Sequence, residues 1–296
     1  MSKGPFSYSG NKTRIYNAYL KPIMQKYDRV HEPFVGSGVC MYNANNGGMS
    51  TDVDPAVVAM HNALSDSTLP NKMQACYDQY FTTGHNKESY NTLREVFNAD
   101  WKLNGITPEN VHQLYVLSQI AFNSLIRFSK NGFNVPFGEK PLDVKRIEQH
   151  CKLWSEKNIQ VTLSEYNTID LSSVDKQRDI IYLDPPYIAS KFQYGGWTKQ
   201  NEKELLQFVT ELDRDGYNFI LSNTFSHKGK INTALIDWAK DYNAYLIDMS
   251  YNAWSARVTS VEREDQTVEV LITNLEDGFE GLANANAPKM KTSELF

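Results

Sequence analysis

Arg29-Val30-His31-Glu32-Pro33-Phe34-Val35-Gly36-Ser37-Gly38, followed by Gly48-Met49-Ser50-Thr51-Asp52-Val53, is the stretch on which the fold turns. Arg29 to Val35 reads as a short strand entering a glycine turn, a helix is expected next, and Gly48 to Val53 reads as a second strand closed by Asp52 and Asp54. Strand, glycine turn, helix and acid-ended strand together open a doubly wound α/β fold, which binds its ligand at the carboxyl ends of its strands. Chemistry is therefore expected just after Val35, Val53 and, further on, Leu183.

Beyond Asp54, expected as a helix-start residue with Pro55 at the first helical position, the pattern is helical to about Phe128. Asn131-Gly132 then favours a tight hairpin turn, while Pro136 and Gly138 disfavour a regular central strand. After a helix near Asp143 to Lys157, strand-like runs return at Ile159–Leu163, Ile180–Leu183, Asn218–Leu221, Tyr245–Met249 and Val268–Thr273. The simplest architecture is one α/β sheet domain interrupted by a mainly helical insertion that contains a β-hairpin.

With 296 residues, 41% of them hydrophobic, the chain can build one large α/β domain with a sizeable insertion. Its longest apolar runs are strand-sized, far short of a membrane span, and residues 1–9 lack the apolar core of a secretory signal, so a soluble protein is expected. Cys40, Cys76 and Cys151 are too widely spaced for a zinc site or a disulfide framework, and Cys40, in a small-residue apolar stretch, is expected to be a buried core residue. The net charge of -5 conceals an asymmetry. Residues 1–30 carry six Lys or Arg against one acid, and residues 119–153 carry six against three, so two basic segments sit on an otherwise acidic chain. They fit either a phosphate-facing surface or ordinary solvated helix faces.

Ile180-Ile181-Tyr182-Leu183-Asp184-Pro185-Pro186-Tyr187 carries the sharpest chemical signal. An apolar strand stops at an acid, two prolines and an aromatic, and the prolines donate no backbone hydrogen bond and cannot continue a central strand. An amine with two N–H groups suits the vacancy: Asp184 accepts one, the Pro185 carbonyl accepts the other, and Tyr187 covers the ring that bears the amine. Holding both hydrogens turns electron density toward an incoming methyl group, and Asp184 stabilises the charge developing on nitrogen. Asp52, sixteen residues after Gly36, stands where a ribose diol would be held. Phe6-Ser7-Tyr8-Ser9-Gly10-Asn11-Lys12 sets an aromatic, a glycine turn and a cation before a helix, a segment able to close over a small ligand with Lys12 near a carboxylate.

In this order the segments resemble the Dam-type (D12 class, alpha group) DNA adenine-N6 methyltransferases, most closely bacteriophage members, from about Pro5 to Asn274. Tyr8 to Lys12 resembles the family's N-terminal motif, Phe34 to Gly38 its cofactor loop, Asp52 its ribose-binding acid and Asp184 to Tyr187 its catalytic motif. Phe122-Asn123-Ser124-Leu125-Ile126-Arg127 and Phe133 to Gly138 resemble its DNA-reading hairpin region, and Leu221 to His227 with Trp238 its later segments.

The resemblance implies a Rossmann-like methyltransferase sheet over residues 1–60 and 156–275, a target-recognition domain over 61–155 and a tail over 276–296. It implies S-adenosylmethionine as cofactor, double-stranded DNA as partner, no metal requirement and a place in the cytoplasm of a bacterium or phage-infected host. Cofactor contacts fall on Tyr8, Gly10, Lys12, Pro33, Phe34, Gly36, Gly38, Asp52, Tyr166 and Asp184. Asp184, Pro185, Pro186 and Tyr187 hold an adenine flipped out of the duplex, since a paired amine cannot reach the donor. Phe122 and Asn123 occupy or flank the gap, and Leu125, Arg127, Lys130, Asn134, Pro136 and Lys140 complete the DNA-binding set. Arg127 is the candidate for a bidentate contact to guanine, with Leu125 and Pro136 offering apolar contact to a thymine methyl, which together suit GATC. Glu139-Lys140 departs from the family pattern of an Arg soon after Pro-Phe-Gly, and Ser7 stands where some members carry a Lys, so altered specificity stays open. An RNA adenine substrate and a catalytically silent DNA-binding module are the other readings.

Overall fold

Ile180 to Leu183 needs packing on both faces, and in the computed structural model it has it. The structure describes residues 3–8, 10–188, 196–227, 229–247 and 267–276. Among them the strands are β1 (Arg29–His31), β2 (Gly47–Asp52), β3 (Phe128–Ser129), β4 (Gly132–Phe133), β5 (Asn158–Leu163), β6 (Asp179–Leu183), β7 (Phe219–His227), β8 (Lys230–Ile231), β9 (Asn243–Ile247) and β10 (Val268–Thr273). The chain divides into two compact units: Met1–Thr13 with Val35–Tyr166, and Arg14–Phe34 with Asn167–Phe296.

The second unit holds a six-stranded mixed sheet in the order β1-β6-β7-β10-β9, with β8 on β7. β1, β6 and β7 run parallel, and β10 lies antiparallel between β7 and β9. Every residue of β6 is buried, including Asp179. A buried carboxylate costs several kcal/mol unless it is paired. Here Arg29 Nη2 donates at 2.6 Å, the Asp175 amide donates at 2.9 Å, and His31 Nε2 lies 3.3 Å away, all on Oδ2. Burial raises the carboxyl, yet these bonds hold it below the usual carboxylate range. The pairing also fixes the register, since Arg29 lies opposite Asp179. Helix Lys199–Arg214 starts with a capping box between Thr198 and Asn201 and buries Leu205, Leu206, Val209 and Leu212.

The first unit pairs β2 with β5 in parallel, with Asp52 opposite Leu163. Helices Pro55–Asn62, Leu69–Tyr80, Lys87–Asn104, Val111–Ile120 and Val144–Glu156 pack an apolar core that includes Met60, Met73, Leu93, Phe97, Leu114, Tyr115 and Ile147. Asp54 caps the first of these helices by accepting from the Ala56 amide, with Pro55 at its first position as expected. Cys40 is a buried thiol, as expected, and so are Cys76 and Cys151, which burial pushes up to about 12 and about 11.

The α/β class stands, with local corrections. Within the second unit β1 ends at His31 rather than at the expected Val35. Pro33 has no N–H to continue a ladder, and the Val35 amide donates to Thr51 O at 2.9 Å from a loop. The hairpin turns at Lys130-Asn131, one residue before the expected site, so that Gly132 opens β4. Gly132 has a φ of +105°, and a Cβ there would also collide with Asn98 Oδ1. Of the strand expected over 245–249, residues 248 and 249 lie outside the described residues, as does the tail beyond Glu276. Among the described residues no helix is long and apolar enough to cross a membrane.

Asp179→Ala leaves Arg29 and His31 without their shared carboxylate. Stability measured by urea unfolding should fall by about 2–3 kcal/mol. A loss below about 0.5 kcal/mol, the size of an ordinary surface substitution, contradicts this account of β6.

Candidate active site

In the first unit the glycine loop is built around Gly36, which adopts a φ of +45°. Its amide donates to Asp52 Oδ2 at 3.0 Å, and the Asp54 amide donates to Asp52 Oδ1 at 3.0 Å. A Cβ on Gly36 would stand 3.0 Å from Tyr8 Cδ1, so the predicted Tyr8 lies directly against the predicted loop. Asn11 Nδ2 donates to Ser37 Oγ at 3.0 Å and ties the N-terminal motif to the same loop. Within that motif, Lys12 Nζ donates to the Gly10 carbonyl at 3.0 Å. Burial raises the Asp52 carboxyl, and the Asp54 and Gly36 amides pull it only partly back. Exposed Val53 follows Asp52 directly, and exposed Leu163 lies opposite Asp52 on β5, so an apolar pair borders the acid. Tyr166 is buried, two residues past Ser164, whose amide donates to Asp52 O at 3.1 Å.

Behind this loop lies a cluster to which sequence reasoning gave no role. His61 Nε2 is 2.9 Å from Gly36 O, and His61 Nδ1 is 2.8 Å from Tyr42 Oη. Tyr42 also packs edge-on against His150, whose Nδ1 is 2.7 Å from Arg146 O. A histidine inside the apolar helix Pro55–Asn62 reads as core, and no spacing signal marks it otherwise.

In the second unit β6 delivers Asp184, Pro185, Pro186 and Tyr187 beyond its carboxyl end, with Pro185 buried and the other three half-buried. The Tyr187 hydroxyl donates to Asp184 Oδ1 at 3.1 Å and lies 3.1 Å from Ser222 Oγ on β7, which fixes the rotation of both side chains. Pro33 is buried in this unit, and half-buried Phe34 makes an edge contact with Trp197 at 5.9 Å. Trp197 Nε1 in turn donates to Glu202 Oε2 at 2.9 Å, and Glu202 Oε1 accepts from Asn223 and Asn232. That buried carboxylate satisfies Asn223 inside β7, a strand that runs on to His227, past the predicted Leu221. Trp238 packs on Tyr242 and Phe219, and its Nε1 donates to Thr210 Oγ1 at 2.9 Å.

The third group of predicted residues lies in the first unit. Phe122 is 55% exposed at the head of a short turn, and its amide donates to Pro136 O at 2.9 Å. Asn123 and Ser124 follow with φ of 55° and 52°, a left-handed pair that costs energy for residues other than glycine. Arg127 is exposed, and its Nε and Nη2 donate to Asn134 Oδ1 at 2.7 Å and Asn134 O at 3.1 Å. Lys140 donates to Ser124 Oγ at 3.2 Å, Leu125 is half-buried against the core, and Lys130 stands exposed in the hairpin turn. The structure thus brings Arg127 together with Asn134, and Phe122 with Pro136.

Residues 8–253 match the model of the D12 class N6 adenine-specific DNA methyltransferases. The chain belongs to this family. Among curated relatives, it is similar to the type II methyltransferase M.FokI of Planomicrobium okeanokoites, 29% identical over 92% of this chain and 43% of the relative. It is similar to the type II methyltransferase M1.LlaDCHI of Lactococcus lactis subsp. cremoris, 23% identical over 91% of this chain and 95% of the relative. A DNA adenine methylase of Haemophilus influenzae is 28% identical over 62% of this chain and 63% of the relative. The chain therefore spans less than half the length of the first of these.

Within this D12 chain the cluster behind the loop has a pH signature. Burial pushes His61 and His150 down to about 4 each. An unfolded histidine takes up its proton near pH 6.5, so between 6.5 and 4 the unfolded chain binds more protons and stability falls as the pH falls. Each histidine should cost about 2 kcal/mol on going from pH 7.5 to 5. Asp52, raised by burial, acts in the opposite direction at the acid end. Urea midpoints at the two pH values check this, and an unchanged midpoint contradicts the neutral, buried state of the pair.

Proposed function

We propose that the chain transfers a methyl group from S-adenosylmethionine to N6 of an adenine flipped out of double-stranded DNA. The observation that carries this reading is Asp184-Pro185-Pro186-Tyr187 at the end of a wholly buried strand, its carboxylate oriented by the Tyr187 hydroxyl. Asp184 accepts one N–H of the adenine amine and the Pro185 carbonyl the other, while Tyr187 covers the base. As the bond from sulfur to the methyl group breaks and the bond to N6 forms, positive charge grows on N6 beside Asp184, which stabilises it until N6 releases one proton to solvent. Positioning dominates, because the donor's sulfonium supplies an electrophilic methyl group and a good leaving group.

Features of the first unit support the cofactor assignment. The Asp52 carboxylate suits a ribose diol, and exposed Val53 and Leu163 suit the faces of an attached heterocycle. Tyr8 packs so close to Gly36 that no side chain fits there, as a loop needing close backbone approach requires. We assign Gly10, Lys12, Pro33, Phe34, Gly38, Tyr166 and Asp184 to the same cofactor, and residues 61–155 to target recognition. Exposed Phe122 on its strained turn suits the gap left by the flipped base. Arg127, held at two points by Asn134, suits a guanine edge. Such a chain works with its DNA, in the cytoplasm of a bacterium or phage-infected host.

Asp184→Ala should lower methyl transfer by about 100-fold or more, a larger loss than any change in S-adenosylhomocysteine affinity measured by calorimetry. A near-normal rate overturns the proposed role. Arg127→Ala should cost about 1–3 kcal/mol of discrimination at one base pair, measured as relative kcat/KM on substituted duplexes. An equal loss on every sequence makes Arg127 a phosphate contact instead.

A further inference from the structure

We infer that His61, supported by Tyr42, is a positioning residue that holds Gly36 of the cofactor loop in its binding shape; the inference rests on the cofactor reading above. A carbonyl oxygen only accepts, so the 2.9 Å contact between His61 Nε2 and Gly36 O requires the hydrogen on Nε2. In the neutral ring Nδ1 is then an acceptor, and the Tyr42 hydroxyl, 2.8 Å away, must donate to it. The tautomer is therefore set from both ends. Burial, which pushes His61 down to about 4, keeps the ring neutral at physiological pH.

This bond completes a grip on one residue. The Gly36 amide is held by Asp52 Oδ2 and the Gly36 carbonyl by His61, so the peptide planes on both sides of its Cα are fixed. That constrains φ and ψ together at a residue whose φ is +45°. Asp52 ends β2 and His61 lies on the helix Pro55–Asn62 that follows, so one strand-turn-helix supplies both holds. The imidazole is itself confined, with Phe6 4.8 Å away and Tyr42 stacked at 5.7 Å. Gly38 leaves room for it: a Cβ there would meet Tyr42 Cε2 at 2.9 Å and His61 Cε1 at 3.1 Å. A neutral imidazole with both nitrogens engaged has no proton to trade, so its part is positional.

His61→Phe keeps a ring in the core and removes both hydrogen bonds. Calorimetry should show the Kd for S-adenosylhomocysteine raised about tenfold, the loss of about one buried hydrogen bond. Tyr42→Phe should give a smaller rise. Imidazole ¹⁵N spectra of the wild type should show the proton on Nε2, and the Nε2 resonance should move when S-adenosylhomocysteine is added. A wild type that binds and a His61→Phe variant that binds equally overturn the inference alone; a wild type that binds nothing overturns the cofactor reading and this inference with it. If His61→Phe does not fold, the spectra and Tyr42→Phe decide, and a proton on Nδ1, an unmoved Nε2 resonance or an unchanged Tyr42→Phe affinity overturns it.

Discussion

The buried carboxylate of Asp179 sets the frame of the second unit. Its pairing with Arg29 and His31 joins β6 to β1 at the amino end of a strand that is buried throughout. With that end fixed, β6 finishes where Pro185 and Pro186 remove the backbone donors, and Asp184 stands at that point. The Asp184-Pro185-Pro186-Tyr187 segment thus owes its placement to a charge five residues earlier in the chain, and the Tyr187–Ser222 contact ties it to the neighbouring strand.

The first unit solves a different problem with similar means. Its glycine loop takes one backbone bond, from Val35 to Thr51 of β2, and side chains hold the rest: Asp52 from the strand, His61 from the following helix, and Asn11 from the N-terminal motif through Ser37. The neighbouring Val53 and Leu163 give the loop an apolar border at the end of the β2–β5 pair.

Much of this was legible in the residues. The Asp54-Pro55 helix start, the acid at the end of β2 and the proline stop after Leu183 follow from local chemistry, and each lies where that chemistry put it. What escaped depends on partners distant in sequence. β7 continues through Ser222-Asn223-Thr224 because Glu202, on a helix, satisfies Asn223. The hairpin is shifted because Asn98 brackets Phe133, accepting from its amide and donating to its carbonyl. His61 sits in an apolar helix and gains a role only when Gly36 O is found beside it. Membership of the D12 family, read from the order of the motifs, is shown by a match over residues 8–253.

The central claim is the identity of the methylated atom. Duplex DNA free of methylation, incubated with the protein and S-adenosylmethionine and then digested to nucleosides, gives the product directly by mass spectrometry. The account predicts N6-methyldeoxyadenosine. Methyl groups on cytosine N4, or transfer to RNA with none to DNA, would contradict it.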